Sequence, residues 1–293
     1  ELVKEGVIVD MYADYMETAI YNALMASLKA DASQIAKYSP LEGWRHEGEE
    51  QCDMHINCCN ANGPRAFAMI PQFAYQVQDD CIRVNFYAPS EAELMLPGKK
   101  SVRLKQTTEY PATDQIEIEV DPAKETAFTI ALRIPAWSEI AMVSVNGQPQ
   151  DGVLQGAYLP VNRKWKKGDR ITVKLDLRAR LVERNQAQAI VRGPLVLARD
   201  SRFGDGFVDE TSVIVSKDGY VELTPVKAPS FAWLAFTAPM VLGTDLESNR
   251  TPKQIHFCDF ASAGNTWDKT QRYRVWLPKT LNVMHSPYKP YNR

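Results

Sequence analysis

The chain has 293 residues, with 34 Lys and Arg against 36 Asp and Glu and a formal net charge of −2. That balance excludes a basic nucleic-acid footprint and a polybasic membrane anchor, and no apolar run reaches the roughly 18 residues of a membrane span. Hydrophobic residues at 45% and charged residues at 24% are ordinary for a globular protein, for which this length predicts two or three domains.

The first residue is Glu1 and no signal-peptide pattern follows it, so the chain reads as a piece of a longer gene product. Either a secreted or a cytoplasmic setting is compatible with this sequence. Five cysteines, an odd number, argue against a complete disulfide framework.

Residues 10–30 carry apolar positions at helical spacing (Tyr12, Met16, Ala19, Ile20, Ala23, Leu24, Leu28), with Asp10 placed to cap the start. A loop follows from about Ser33 to Asn60, long enough to suggest function. A second helix is expected to open near Gly63-Pro64, because proline suits the first helical turn. Phe67, Ile70, Phe73, Ala74 and Val77 would form its apolar stripe, kinked at Pro71.

Beyond Asp79-Asp80 the period changes from helical to alternating. Cys81 to Tyr87, Ser101 to Gln106, Gln115 to Val120, Ala127 to Ile134 and Arg170 to Leu177 read as strands, and Asn146-Gly147 signals a hairpin. From Gln188 onward the style repeats, in Ala189 to Leu197, Ser212 to Ser216, Ala232 to Thr237, Gln254 to Phe260 and Arg272 to Leu277. The Gly- and Asp-rich stretch from Arg199 to Asp209 reads as a linker or long loop. The fold class is therefore mainly β with a small α-helical N-terminal part. Three domains are expected: helical residues 1–79, a first antiparallel β-sandwich at 80–186 and a second at 187–293. Two amphipathic helices cannot bury their stripes alone, so they read as the end of a larger helical domain.

Cys58-Cys59 is the sharpest chemical feature. A helix start favours a thiolate, which is both a nucleophile and a soft metal ligand. Cys52 and His55 lie close by, although the spacing matches no common zinc finger. Buried packing of the cysteines is the competing reading. Glu47, Glu49 and Glu50 could pair as glycosidase carboxylates, but a solvated loop accounts for them better. Trp44, Arg45 and His46 suit either a sugar site or a loop packed under a domain edge. Asn60 and Asn62 fit a cap on the second helix, and Trp137, Trp165 and Trp276 fit strand cores.

Several segments together resemble one family. Tyr12-Ala13-Asp14-Tyr15-Met16-Glu17 with Tyr21-Asn22-Ala23-Leu24, then Pro40-Leu41-Glu42, Cys58-Cys59-Asn60-Ala61-Asn62-Gly63-Pro64-Arg65, Arg133-Ile134-Pro135-Ala136-Trp137, Arg192-Gly193-Pro194-Leu195-Val196 and Arg274-Val275-Trp276-Leu277 are collinear with motifs of the β-L-arabinofuranosidases of glycoside hydrolase family 127. The resemblance spans about residues 10 to 279. It implies the last helices of an (α/α)6 barrel followed by two β-sandwiches. It also implies a zinc-dependent retaining glycosidase of plant-type glycans or glycoconjugates, with Cys58 as nucleophile and Cys58 and Cys59 as zinc ligands. Tyr38 stands one position away from a substrate-binding tyrosine of the family. The family's other zinc ligands and its acid/base glutamate lie upstream of the first helix motif, so a missing N-terminal half of the barrel is the implied partner and this chain alone is expected to be inactive. Where the family has a cysteine two positions before the pair, this chain has Ile56. Two other readings are a non-catalytic sandwich module for carbohydrate binding or dimerisation, with a homodimer formed through the second sandwich, and an inactive scaffolding member of the family.

Overall fold

A computed structural model of the chain describes residues 9–46, 58–243 and 251–280. These fall into two compact units. Residues 9–24 and 58–177 form the first, and residues 25–46, 178–243 and 251–280 form the second. The described chain is mainly β with few helices. No helix among the described residues is long and apolar enough to cross a membrane.

In the first unit, α1 (Val9–Ala19) runs into a π-helical turn, Ile20–Leu24, rather than continuing as one α-helix to residue 30. Asp10 lies inside the first turn of α1, not at its cap. The second helix, α2 (Cys58–Ala74), is already formed at Cys58, so Pro64 and Pro71 both sit inside it and Asn60 and Asn62 are helical rather than capping. None of its residues is buried, which leaves Phe67, Ile70 and Phe73 at least partly in solvent. Each proline removes one backbone donor, a loss that water can make good on an uncovered helix.

Two sheets follow. One has four strands, in the order Ala157–Trp165, Thr126–Ile134, Cys81–Val84, Tyr75–Gln78. The other has six: Ser90–Leu96, Lys100–Thr108, Gln115–Pro122, Asp169–Lys174, Met142–Val145, Gln148–Pro149. Cys81–Val84 pairs parallel with Thr126–Ile134, a departure from an all-antiparallel reading. Parallel neighbours need a crossover, and here residues 85–125 supply it through three strands of the other sheet. The alternation read in the sequence is the burial pattern observed. Ile116, Ile118 and Val120 are fully buried and face Val173, Ile171 and Asp169 in register. With Val102, Leu104, Ile82, Val84, Ile130 and Leu132 they make one core shared by both sheets. Trp165 is fully buried and donates Nε1–H to the Phe128 carbonyl at 3.0 Å.

Asn146 and Gly147 both have positive φ, at 50° and 78°, the geometry a two-residue hairpin needs. The Asn146 amide also bridges strands: its Nδ2 donates to Asp169 Oδ1 at 2.9 Å, and its Oδ1 accepts from Arg170 N at 2.8 Å. Beside it, Asp121 accepts from Arg103 Nη2 at 2.6 Å and from Gly168 N at 2.8 Å. The Arg103 contact holds the Asp121 carboxyl below the ordinary carboxylate range, against the opposing effect of burial. An acid depressed in the folded state adds stability above its unfolded pKa, about 3.9, and loses it as pH falls through the lower folded value. Asp121→Asn is therefore expected to cost about 1 kcal/mol between pH 5 and 8, with the difference from wild type shrinking below about pH 4. Urea midpoints across that range check the sign.

In the second unit, strand pairing joins eleven strands. The central path is Ser212–Ile214, Ala235–Leu242, Lys253–Asp259, Leu195–Asp200, Ala187–Arg192, Ala179–Arg184, Tyr220–Val221. The run read as one strand from Ala189 to Leu197 is two. Gly193, at φ 55°, turns the chain so that Val191 and Arg192 pair with Val196 and Leu195. Arg272 to Leu277 likewise splits into Tyr273–Arg274 and Leu277–Pro278. Ile190, Leu195, Leu197, Phe236, Met240 and Phe257 are buried in this unit.

Candidate functional site

Asp14 and Glu17 are three residues apart on α1, so both carboxylates leave the same face. Arg133, in the strand Thr126–Ile134, meets them. Its Nη2 donates to Glu17 Oε1 at 2.6 Å and its Nη1 donates to Asp14 Oδ1. Its Nε donates to the Asn85 carbonyl at 2.6 Å. The Arg133 side chain is 1% exposed and that of Glu17 is 2% exposed, so the pair is out of water. Glu17 also accepts from Tyr110 OH at 2.8 Å, and Asp14 Oδ2 accepts from Ala136 N at 2.8 Å. The Tyr110 ring stacks on Trp137 at 6.5 Å and meets Tyr21 edge-on at 6.2 Å.

The charges of this cluster sustain each other. Burial alone would lower the Arg133 pKa, but Glu17, Tyr110 and Asp14 outweigh it and raise it above its ordinary value. Burial, and next the Glu17 charge, push the Tyr110 hydroxyl upward, so it stays protonated as a donor. Spacing alone did not reveal this network. Its signals were two carboxylates three residues apart on one face of α1, and an arginine set between Leu132 and Ile134 in a strand. They are the motif segments around Asp14, Glu17 and Arg133 quoted above, joined in space.

Cys58 and Cys59 are the first two described residues of α2. Cys58 is exposed and Cys59 half-buried, and neither is in a disulfide. Buried packing, the competing reading of the pair, does not describe Cys58. No acidic side chain lies in the first turn of α2 to oppose an anionic sulfur there. Among the described residues no group of three His, Cys, Asp or Glu side chains stands together as a metal site. Cys52, His55, Ile56, Glu47, Glu49 and Glu50 lie outside the described residues.

Tyr38 belongs to the second unit. It is 68% exposed, with Lys37 Nζ 5.5 Å over its ring. In the same segment the Tyr273 hydroxyl donates to the Pro40 carbonyl at 2.6 Å. Trp44 carries the Arg272 guanidinium 4.8 Å above its ring and His46 is exposed. Arg45 is fully buried. Its guanidinium lies 4.8 Å over Phe260 and 5.0 Å over Tyr273, and its Nη1 donates to the Ala261 carbonyl at 2.8 Å. Of the two readings open for Trp44-Arg45-His46, Arg45 follows the packed one. Trp137 and Trp165 are core residues, and Trp276 packs half-buried against the core of the second unit.

Two successive segments of the chain match domains of known proteins. Residues 9–72 match the catalytic domain of the GH127 β-L-arabinofuranosidases, and residues 81–177 match the middle domain of the same family. A non-reducing end β-L-arabinofuranosidase of Bifidobacterium longum subsp. longum is 28% identical over 213 residues, which is 63% of this chain and 31% of that protein. Two solved structures share the fold over 92% of this chain and 46% of theirs. One is a GH127 β-L-arabinofuranosidase from Geobacillus stearothermophilus T6, with 22% identity and a TM-score of 0.74. The other is a GH127 β-arabinofuranosidase, with 23% identity and a TM-score of 0.76. The chain thus spans about a third of the curated relative and about half of the solved structures. The matches to the catalytic and middle domains run in one order through one chain, and the chain belongs to the GH127 β-L-arabinofuranosidase family.

Proposed function

We propose that this chain is the C-terminal part of a retaining glycoside hydrolase in which Cys58 is the nucleophile, acting on arabinoside-like plant glycans. The observation that carries the reading is the exposed Cys58 at the first described turn of α2, inside the segment that matches the family's catalytic domain. On this reading α1 and α2 belong to an (α/α)6 barrel completed by an N-terminal half, and two β-sandwiches follow. The second of these would carry a homodimer contact.

The Cys58 thiolate attacks the anomeric carbon, the bond to the leaving oxygen breaks, and a carboxylic acid contributed by the N-terminal half protonates that oxygen. Water activated by the same carboxylate then displaces Cys58 sulfur from the sugar, which restores the thiolate and the original anomeric configuration. The donor chemistry of the Cys58-Cys59 pair fits zinc. Two neighbouring sulfurs, one exposed and one half-buried, would supply two ligands, and the remaining ones come from the N-terminal half. When bound, zinc keeps the sulfurs deprotonated at neutral pH. Tyr38 is assigned a contact with the sugar.

The test uses the protein expressed from its own gene and an aryl β-L-arabinofuranoside. Product stereochemistry followed by NMR is expected to show retention, and Cys59→Ala is expected to lower the zinc bound per chain. Inversion of configuration, or hydrolysis of none of a panel of furanosides, contradicts the reading.

A further inference from the structure

The second unit holds a cavity of about 450 Å³ lined by Asp205, Gly206, Phe207, Glu210, Leu242, Lys253, Gln254 and Ile255. This size falls within the range of small-molecule sites. One of its walls is the stretch that reads in the sequence as a linker, and the structure shows how that stretch is held. Arg199, buried in the strand Leu195–Asp200, donates Nη1–H to the Phe207 carbonyl at 3.0 Å and Nη2–H to the Asp205 carbonyl at 3.4 Å. The same guanidinium lies 3.5 Å from Glu210 Oε1 and 3.7 Å from Asp205 Oδ1. Asp205 Oδ2 in turn accepts from His256 N at 2.7 Å. Val208 is buried beneath the loop. Gly206 has a φ of 120°, a backbone conformation in which an L side chain is strained, so glycine suits this turn of the loop. This stretch is thus a folded loop wrapped around a guanidinium.

What the loop presents is Phe207, which is 79% exposed. A large ring held in water by a pinned backbone gains nothing for the fold, because exposed apolar area stabilises only when it is covered. Beside it the lining offers carboxylates that accept, an ammonium that donates, and an amide that does both. An apolar ring next to such a mixed set matches a sugar, whose ring has a C–H face and a rim of hydroxyls. With the Arg199 guanidinium counted beside Lys253, two carboxylates face two cations, so the lining holds no surplus positive charge for an anionic ligand.

We infer that this cavity is a glycan-binding subsite for a neutral oligosaccharide, which stacks on Phe207 and hydrogen-bonds through Asp205, Glu210, Lys253 and Gln254. The choice of glycan as ligand class rests on the proposed function, whereas the position of the site rests on the loop and the cavity. The probe is a linear arabino-oligosaccharide, with an oligogalacturonide as the charged control, and the protein carries Cys58→Ala so that no turnover intervenes. Hydrogen exchange is expected to slow in peptides covering 205–210 and 253–255 when the neutral sugar is added, and not with the charged one. Phe207→Ala is expected to weaken this binding about tenfold or more without lowering the unfolding temperature, since its side chain is in solvent. Lys253→Ala, in the strand Lys253–Asp259, provides a second variant of the lining. No protection of these peptides at millimolar sugar, or protection that neither substitution reduces, overturns the inference. Failure of the glycosidase reading shows separately, as absent hydrolysis by the Cys58 protein with these peptides still protected.

Discussion

Arg133→Met is expected to destabilise the first unit by about 3–5 kcal/mol, read as a shift of the denaturant midpoint at unchanged slope. The size follows from what would be left behind. Glu17 is almost completely buried and Asp14 largely so, and without the guanidinium each would lie near apolar walls with no countercharge. Trp137 and Tyr110 would lose the rigid neighbour that orients Glu17 toward them. Arg133→Lys is expected to recover less than half of the loss. One ammonium cannot reach Asp14, Glu17 and the Asn85 carbonyl as a planar fork does. Adding Glu17→Leu to Arg133→Met should be less costly than the sum of the two changes, because the second removes the charge that the first orphaned. Additive losses would mean that the cluster does not act as one unit.

Cys58→Ala is expected to reduce hydrolysis of an aryl β-L-arabinofuranoside by the protein expressed from its own gene by a factor on the order of 10⁴ or more, almost all of it in kcat. A nucleophile stabilises the transition state and contributes little to ground-state binding, so KM should move little. Cys58→Ser keeps the shape and loses the soft, readily ionised sulfur, and is expected to be nearly as damaging. Retained activity in either variant removes Cys58 from the mechanism.

The sequence showed most clearly those parts of the fold in which burial is one-sided. Ile116, Ile118 and Val120 alternate with polar residues because one face meets the shared core and the other meets solvent. Asn146-Gly147 was legible because few pairs tolerate two positive φ values in succession. Edge strands were harder to see. Ser90–Leu96 carries Glu91 and Glu93 on its outer face and closes one side of the six-stranded sheet, so its composition resembles a helix. Ala157–Trp165 contains Pro160, which usually argues against a strand and is tolerated here because this strand lies at the edge of its sheet. The start of α2 was displaced because Pro64 mimics a first-turn proline while sitting in the helix interior.

The candidate site was legible in a different way. The Cys58-Cys59 pair stands out in the chain without any geometry, because adjacent cysteines are chemically conspicuous. The partnership of Asp14, Glu17 and Arg133 is not visible locally, since the residues lie 119 and 116 positions apart and only the folded strand brings them together. The wall of the glycan cavity read as a linker because Gly204, Asp205 and Gly206 are turn formers. What folds them is the buried Arg199, outside the segment a local pattern can weigh.

The central claim is that Cys58 carries the sugar during turnover. Its most direct measurement is rapid acid quench of the protein during hydrolysis of an activated β-L-arabinofuranoside, followed by peptide mass spectrometry. The account predicts a transient peptide containing Cys58 heavier by one pentosyl residue, present during turnover and gone once substrate is exhausted. A pentosyl adduct on any other residue, or steady hydrolysis with the Cys58 peptide never modified, would contradict it.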